Sequence, residues 1–291
     1  MFKGSIVALV TPFLRGKVDE KGLRKLVEFH IKNGTDAISP CGTTGESPTL
    51  THEEHHRVVE IVIEQTKGRV PVIAGTGSNS TAEAISLTRH AAEAGAAAAL
   101  MIAPYYNRPT QKGLYEHFKT VADKVDIPIV LYNHLGRTGV TIQPETIYQL
   151  SQVGKFVAIK DATGGIDYAS RVMELCGEKV AVLSGNDTWT LPLLALGGTG
   201  VISVMANIAP REMGQMVHEF LNGNADKARN LHYKLLPLMK AMELEVNPVP
   251  IKTAMDLMGM ISGEVRLPLA PMERKNVEAL KKTLKKYRLI K

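Results

Sequence analysis

The sequence predicts an α/β fold, a TIM (β/α)8 barrel with a C-terminal helical appendage, and three observations predict it. Short apolar β-rich runs alternate with longer helical patterns over the first two-thirds of the chain, the mark of parallel βα units. The runs number eight, the count that closes such a barrel. From about Ala209 onward the strand pattern stops and only helical periodicity remains. A length of 291 residues suits either two ordinary domains or one α/β barrel with an appendage, and buries a large core either way. Its 44% hydrophobic and 22% charged residues exclude a disordered chain and suit a globular enzyme.

The strand-like runs lie at 5–10, 37–41, 70–74, 98–103, 127–132, 157–160, 180–183 and 200–204. Helix-start signals separate them. Thr51 is placed to cap and Glu54 to complete a capping box, Asn79-Ser80-Thr81 opens the next helix, and Thr110-Gln111-Lys112-Gly113 precedes another. Turn residues follow the runs at 42–45, 75–78, 104–109, 136–139 and 163–165. Beyond Ala209 the helical pattern is broken by Pro248, Pro250, Pro268 and Pro271, with no long linker, so the tail is expected to pack against the barrel. The division expected is a catalytic barrel over 1–222 and a helical domain over 223–291.

The net charge of +6 is concentrated in the last stretch, where Lys281, Lys282, Lys285, Lys286, Arg288 and Lys291 interleave with Leu280, Leu284 and Leu289. That spacing describes the solvated face of a terminal amphipathic helix. No aromatic-interleaved basic patch accompanies it, which argues against a nucleic-acid partner. Cys41 and Cys176 are too few for a disulfide framework, so a reducing compartment is expected. The first apolar run ends at Thr11-Pro12, too short to span a membrane and without a cleavage pattern. The expected location is the cytoplasm, with no membrane partner.

Val157-Ala158-Ile159-Lys160-Asp161 places one lysine at the end of an apolar strand. Burial disfavours an ammonium, and a neutral amine attacks a carbonyl to form a Schiff base. In a barrel the reacting groups come from the carboxyl ends of the strands. Lys160 ends the sixth run, Tyr132 the fifth, Thr43-Thr44 follow the second and Tyr105-Tyr106 the fourth, so all are expected at one mouth. Imine chemistry needs a proton donor and acceptor beside the amine, a role for Tyr132 with Thr43 and Tyr106 as relay. The Thr44 hydroxyl suits a substrate carboxylate, and Arg137, in Gly136-Arg137-Thr138-Gly139, suits a second by bidentate pairing. Against these stand plainer readings. A strand-end lysine also snorkels to solvent, Gly-Thr-Thr-Gly is also a common turn, and Tyr105-Tyr106 also fits loop packing or a subunit contact.

Two motifs are set aside. His52-Glu53-Glu54-His55-His56 satisfies the H-E-x-x-H zinc pattern literally, but the capping box puts it in the first turn of a helix and no third ligand follows, so no metal is expected. Leu196-Gly197-Gly198-Thr199-Gly200 looks like a barrel phosphate cradle, yet a tight helix-to-strand turn explains its glycines equally.

Taken together, Gly42-Thr43-Thr44-Gly45-Glu46, Pro104-Tyr105-Tyr106-Asn107, Tyr132-Asn133 with Arg137-Thr138-Gly139, Ile159-Lys160-Asp161-Ala162-Thr163, Leu183-Ser184-Gly185 and Gly200-Val201-Ile202-Ser203 resemble the dihydrodipicolinate synthase family, over nearly the whole chain. The resemblance implies a lyase that condenses pyruvate with aspartate semialdehyde in diaminopimelate and lysine biosynthesis, through a Schiff base and without a cofactor. It implies Lys160, Tyr132, Thr43 and Tyr106 as catalytic residues and Thr44, Arg137, Gly185 and Ile202 as substrate-binding. It further implies a homotetramer of tight dimers in which Tyr106 enters the neighbouring site. A lysine-inhibition cleft is implied at Ser47, His52, His55, Asn79, Glu83 and Tyr105. Three departures stand out: His134-Leu135 where the family has an apolar residue and proline, Asp161 where glutamate is common, and Pro48 where alanine occurs. The nearest rival is a related pyruvate aldolase, such as N-acetylneuraminate lyase or a 2-keto-3-deoxy sugar-acid aldolase, against which Arg137 speaks. A rival of another class is a catalytically silent barrel, against which the intact Lys160, Tyr132 and Thr43 speak.

Overall fold

Eight strands form one parallel sheet in a computed structural model that describes residues 2–291. They are β1 (Gly4–Ala8), β2 (Ala37–Ser39), β3 (Ile73–Gly75), β4 (Ala98–Ile102), β5 (Ile129–Asn133), β6 (Phe156–Asp161), β7 (Ala181–Ser184) and β8 (Gly200–Ser203). Neighbours run β2-β1-β8-β7-β6-β5-β4-β3, and a parallel bridge from Ile38 to Val72, just ahead of β3, joins the two ends into a ring. Each predicted run therefore carries a strand, with ends displaced by at most three residues. At the β1–β8 seam Gly200 has no substitute, since a Cβ there would fall 2.1 Å from the Gly4 carbonyl oxygen.

Side chains alternate across each strand, so the ring has an inner and an outer layer. The inner layer is small and aliphatic, with Ile6, Ala98, Val130, Ala158, Leu183 and Ile202 among its members. Outward residues meet the helices α1 (Glu20–Lys32), α2 (His52–Thr66), α3 (Thr81–Ala94), α4 (Gln111–Lys124), α5 (Pro144–Ser151), α6 (Ile166–Cys176), α7 (Thr190–Ala195) and α8 (Pro210–Leu221). Their starts follow the caps read from sequence: Ser80 and Thr110 accept from Glu83 and Gly113 N–H, and Thr51 and Glu54 form a full capping box. Residues 196–200 form the turn into the amino end of β8, with Gly198 N–H donating to Leu193 O. It lies at the wrong end of the barrel for a phosphate site. Two features were not foreseen: a short antiparallel pair, Phe13–Leu14 with Lys17–Val18, and a helical turn at Leu135–Thr138 where an open loop was expected.

The tail adds α9 (Ala225–Ala241), α10 (Val249–Leu257) and α11 (Arg274–Lys286). It packs against the barrel: Leu235, Met239, Ile251 and Leu280 share one apolar cluster with Val7 and Ile38. Leu280 and Leu284 of α11 are fully buried while its lysines face outward, as the spacing required. Polar contacts fix the joint. Lys252 Nζ lies 2.5 Å from Glu46 Oε1 with both side chains sealed from solvent, and Glu46 Oε2 accepts from Arg266 N–H. Arg266 forms a two-pronged pair with Glu54 at 2.5 and 2.6 Å, and Glu264 accepts the backbone N–H groups of Arg15 and Gly16. Among the described residues no helix is long and apolar enough to cross a membrane, and both cysteines are free and buried.

Removing one member of a buried ion pair strands the other charge, a loss of about 3–5 kcal/mol. K252M is accordingly expected to lower urea-unfolding stability by that amount, and K252M combined with E46L to regain about half of it or more; a double variant no better than K252M contradicts this account of the joint. Acidification acts through other groups. Burial pushes His30 down to about 3 and His55 and His117 down to about 4. Each has a lower pKa folded than unfolded, so the unfolded chain binds more protons between roughly pH 6.5 and 4. Stability is present above that window and falls through it, by at most about 1.4 kcal/mol per pH unit per group. Urea midpoints measured from pH 7 to 4.5 should decline, and H30Q should flatten the decline.

Candidate active site

Two adjoining cavities open at the carboxyl ends of the strands. The first, of about 280 Å³, is lined by Lys160, Tyr132, Thr43, Thr44, Arg137 and Gly185 together with His134, Asp187, Glu243 and Asn247. The second, of about 570 Å³, is lined by Thr43, Ser47, His52, His55, Glu83 and Tyr105, and shares Tyr132 and Arg137 with the first.

Strand register brings Tyr132 and Lys160 together. Tyr132 of β5 is paired with Lys160 of β6, and Lys160 with Leu183 of β7, so both side chains point inward at one level. Lys160 is 6% exposed, and its Nζ lies 4.1 Å from the centre of the Tyr132 ring. One residue on, Asn133 and Asp161 are paired and point outward. Asn133 donates to the Tyr168 hydroxyl and accepts from Ile142 N–H, and Tyr168 donates to Ile142 O, which pins the end of β5 from behind. Asp161 accepts from Thr163 N–H, and burial holds its carboxyl above the usual range. The shorter acid beside Lys160 thus serves the turn after β6.

Glu46 ends the Gly-Thr-Thr-Gly loop in the left-handed region, φ 54°, where its carboxylate reaches Lys252. Thr44 accepts from Asn247 Nδ2 at 3.0 Å, leaving its hydroxyl proton for a ligand. Arg137, exposed on the turn after β5, donates to Asn247 O at 3.4 Å and makes no ion pair among the described residues. Gly185 N–H is engaged by Asp161 O at 2.6 Å, and a Cβ at Gly185 would stand 2.8 Å from that of Ala162, so this residue offers room and a carbonyl rather than a free N–H.

In the second cavity the H-E-x-x-H residues are occupied separately. His52 Nε2 meets Glu83 at 2.7 Å, His55 Nε2 donates to Gly75 O at 2.8 Å, His56 stacks on His90, and Glu54 holds Arg266. Glu83 also accepts from Ser78, and these two contacts hold its carboxyl below the usual range, while burial and Glu83 raise the Tyr105 phenol.

Three of the expected residues lie apart from these cavities within the chain itself. Tyr106 does not join Lys160 in its own chain: it is 90% exposed, at φ 69°, in the segment between β4 and α4. Asn79 does not line the second cavity, and its carbonyl accepts from Asn107 instead. Ile202 is part of the packed interior of the ring, in the cluster that also holds Tyr132, and is not among the residues lining the first cavity. Several lining residues escaped sequence reasoning. Asp187 follows Gly185 closely enough to have been suspected. His134 was noticed only as a departure; burial, with Arg137 and Lys160 near, pushes it down to about 4, so at neutral pH it is an uncharged imidazole. Glu243 and Asn247 come from the tail, and no local spacing signals them.

Comparison with known proteins gives one answer. The model of the Dihydrodipicolinate synthetase family matches residues 1–287. A 4-hydroxy-tetrahydrodipicolinate synthase of Citrifermentans bemidjiense is 58% identical over 290 residues, covering all of both chains. Among solved structures, a dihydrodipicolinate synthase from Acinetobacter baumannii complexed with pyruvate is 45% identical, with TM-score 0.98 over 100% of both chains. One from Cyanidioschyzon merolae with lysine bound is 38% identical, with TM-score 0.96 over 99% of both. With its closed ring, its buried strand-end lysine and this full-length match, the chain belongs to the dihydrodipicolinate synthetase family.

Proposed function

We propose that the chain catalyses Schiff-base condensation of pyruvate with L-aspartate 4-semialdehyde, the 4-hydroxy-tetrahydrodipicolinate synthase reaction, as a lyase of diaminopimelate and lysine biosynthesis. The observation that carries this reading is the buried Lys160 amine against the Tyr132 ring at the floor of a polar cavity. The amine adds to the keto carbon of pyruvate and water leaves, giving an imine. Loss of a methyl proton gives the enamine, whose carbon attacks the aldehyde. Closure by the amino group of the second substrate then releases Lys160.

Tyr132 is the group placed to move these protons, and Thr43, which lines both cavities, continues the path. Thr44 holds the pyruvate carboxylate and Arg137 the second one; a small cavity with a guanidinium fits this pair better than a polyhydroxylated sugar acid. Tyr106, turned away from its own cavity, serves a neighbouring copy, which makes the working unit a homodimer or larger, a tetramer in this reading. Residues 1–222 act as the catalytic barrel and 223–291 as the appendage that closes it, in the cytoplasm and without a cofactor. The second cavity, with a carboxylate at Glu83 for an ammonium and hydrogen-bonding groups at Ser47, His52, His55 and Tyr105, is the site at which lysine inhibits.

Borohydride reduction in the presence of pyruvate should add mass to the peptide carrying Lys160 and to no other; an unlabelled Lys160 removes the proposal. Y132F should lower kcat by about 10²-fold or more while retaining the adduct. Lysine titrated at millimolar order should inhibit the initial rate, and E83A should abolish that inhibition without changing the uninhibited rate by more than about twofold.

A further inference from the structure

Titratable side chains lace the seam between α2 and α3, and the reaction proposed above gives the lower rungs no task. His52, His56 and Glu60 follow one another at helical spacing on one face of α2, and Glu83 and His90 stand about two turns apart on α3. His52 meets Glu83 at 2.7 Å, His56 stacks on His90 with ring centres 3.8 Å apart and planes 18° from parallel, and His90 Nε2 meets Glu60 at 3.1 Å. The other Glu60 oxygen is taken by Arg57, which also holds Glu64 and, on α1, Glu20, while Arg24 of α1 holds Glu64 as well. Glu53 and His55 flank the stack from α2, and His55 donates to Gly75 O. The exposed Arg89 and Glu93 complete the charged set of α3, and His117 of α4 bonds Thr81 on it. The strands beneath, β2 to β4, carry no charged side chain.

The stack has no place for an added proton. His56 Nε2 and His90 Nδ1 are both buried without a partner. An uncharged imidazole keeps a bare lone pair there, whereas an imidazolium carries N–H on both nitrogens and must aim one of them at no acceptor. Two charged rings would also repel across the 3.8 Å that separates them. Burial, with His90 and His52 near, holds the His56 imidazole below its ordinary value. The same two helices carry opposing walls of the second cavity, His52 and His55 from α2 against Glu83 and Leu87 from α3. We infer that the His56–His90 stack is a proton-sensitive clasp between α2 and α3, closed while both rings are uncharged, that sets how tightly the second cavity takes a cationic ligand. Protonation loosens the seam and draws Glu83 away from His52 and His55. The linkage is reciprocal: a bound ligand closes the clasp and expels a proton, so affinity is full above the titration of the pair and falls as pH falls through it. With lysine as the ligand the inference rests on the proposed inhibitory site, whereas the clasp is a property of the empty protein.

H56F tests it, because phenylalanine stacks on His90, takes no proton and tolerates a charged imidazole on its face. H90N is the second variant. Neither position belongs to the groups assigned to catalysis, so the uninhibited rate should stay within about twofold in both. Hydrogen exchange of peptides spanning 52–66 and 81–94, corrected for the intrinsic pH dependence of exchange, reads the clasp with no ligand present. Between pH 7.5 and 5.5 these peptides should lose about tenfold in protection in the unsubstituted protein and no more than about twofold in either variant. Lysine affinity measured by calorimetry should fall about tenfold over the same interval, and H56F should confine that fall to about twofold although His52 remains. Constant protection or constant lysine affinity in the unsubstituted protein overturns the inference, as do equal losses in the variants. A seam that loosens as described while lysine gives no heat of binding at either pH overturns the proposed lysine site and not the clasp.

Discussion

The Lys252–Glu46 pair is the constraint on which the active site depends. It joins α10 of the tail to the loop after β2, and it does so with both charges sealed away from water. Glu46 takes a left-handed backbone conformation that is uncommon for a residue other than glycine, and from it the carboxylate meets both Lys252 and the Arg266 N–H. Burial lowers the Lys252 pKa, Glu46 opposes that effect, and the Phe13 ring lies 4.1 Å from the ammonium. The same loop carries Thr43 and Thr44, so the position of both hydroxyls follows from a contact made with a residue about two hundred positions later.

Around that joint the appendage becomes part of the catalytic cavity. Asn247 connects Thr44 to Arg137, accepting at its carbonyl and donating at its amide, while Met239, Met242 and Glu243 form wall. Arg266 binds the first turn of α2 through Glu54, the residue that also completes its capping box. The tail thus supplies one side of the chamber that encloses Lys160 and Tyr132.

The two cavities share Thr43, Tyr132 and Arg137, which gives a physical route between the proposed lysine cleft and the Lys160 amine. An ammonium bound at Glu83 would compete with His52 for that carboxylate and act on Tyr105, and both lie in the wall that continues to Thr43. The shared residues are those whose hydroxyl and guanidinium groups the reaction is proposed to use.

Much of this was legible in the sequence because it is local. Apolar runs of fixed spacing, caps such as Thr51 with Glu54, and the strand-end position of Lys160 depend on neighbours a few residues away, and alternation along β5 and β6 already sets Tyr132 and Lys160 on inward faces. The full set of motifs also carried the family. What the sequence could not decide lies in contacts between distant segments. The pairing of Lys252 with Glu46, the approach of Glu243 to Asp187 and the grip of Asn247 on Thr44 have no periodicity, since they arise where the tail folds back over the barrel mouth. Tyr106 shows the same limit from the other side: its position after the fourth run predicted a place at the mouth of its own barrel, but it sits in a left-handed conformation with its ring exposed. Local chemistry chose the strands and their reactive ends, and tertiary packing chose which charges met, because burial and pairing are set only once the ring has closed.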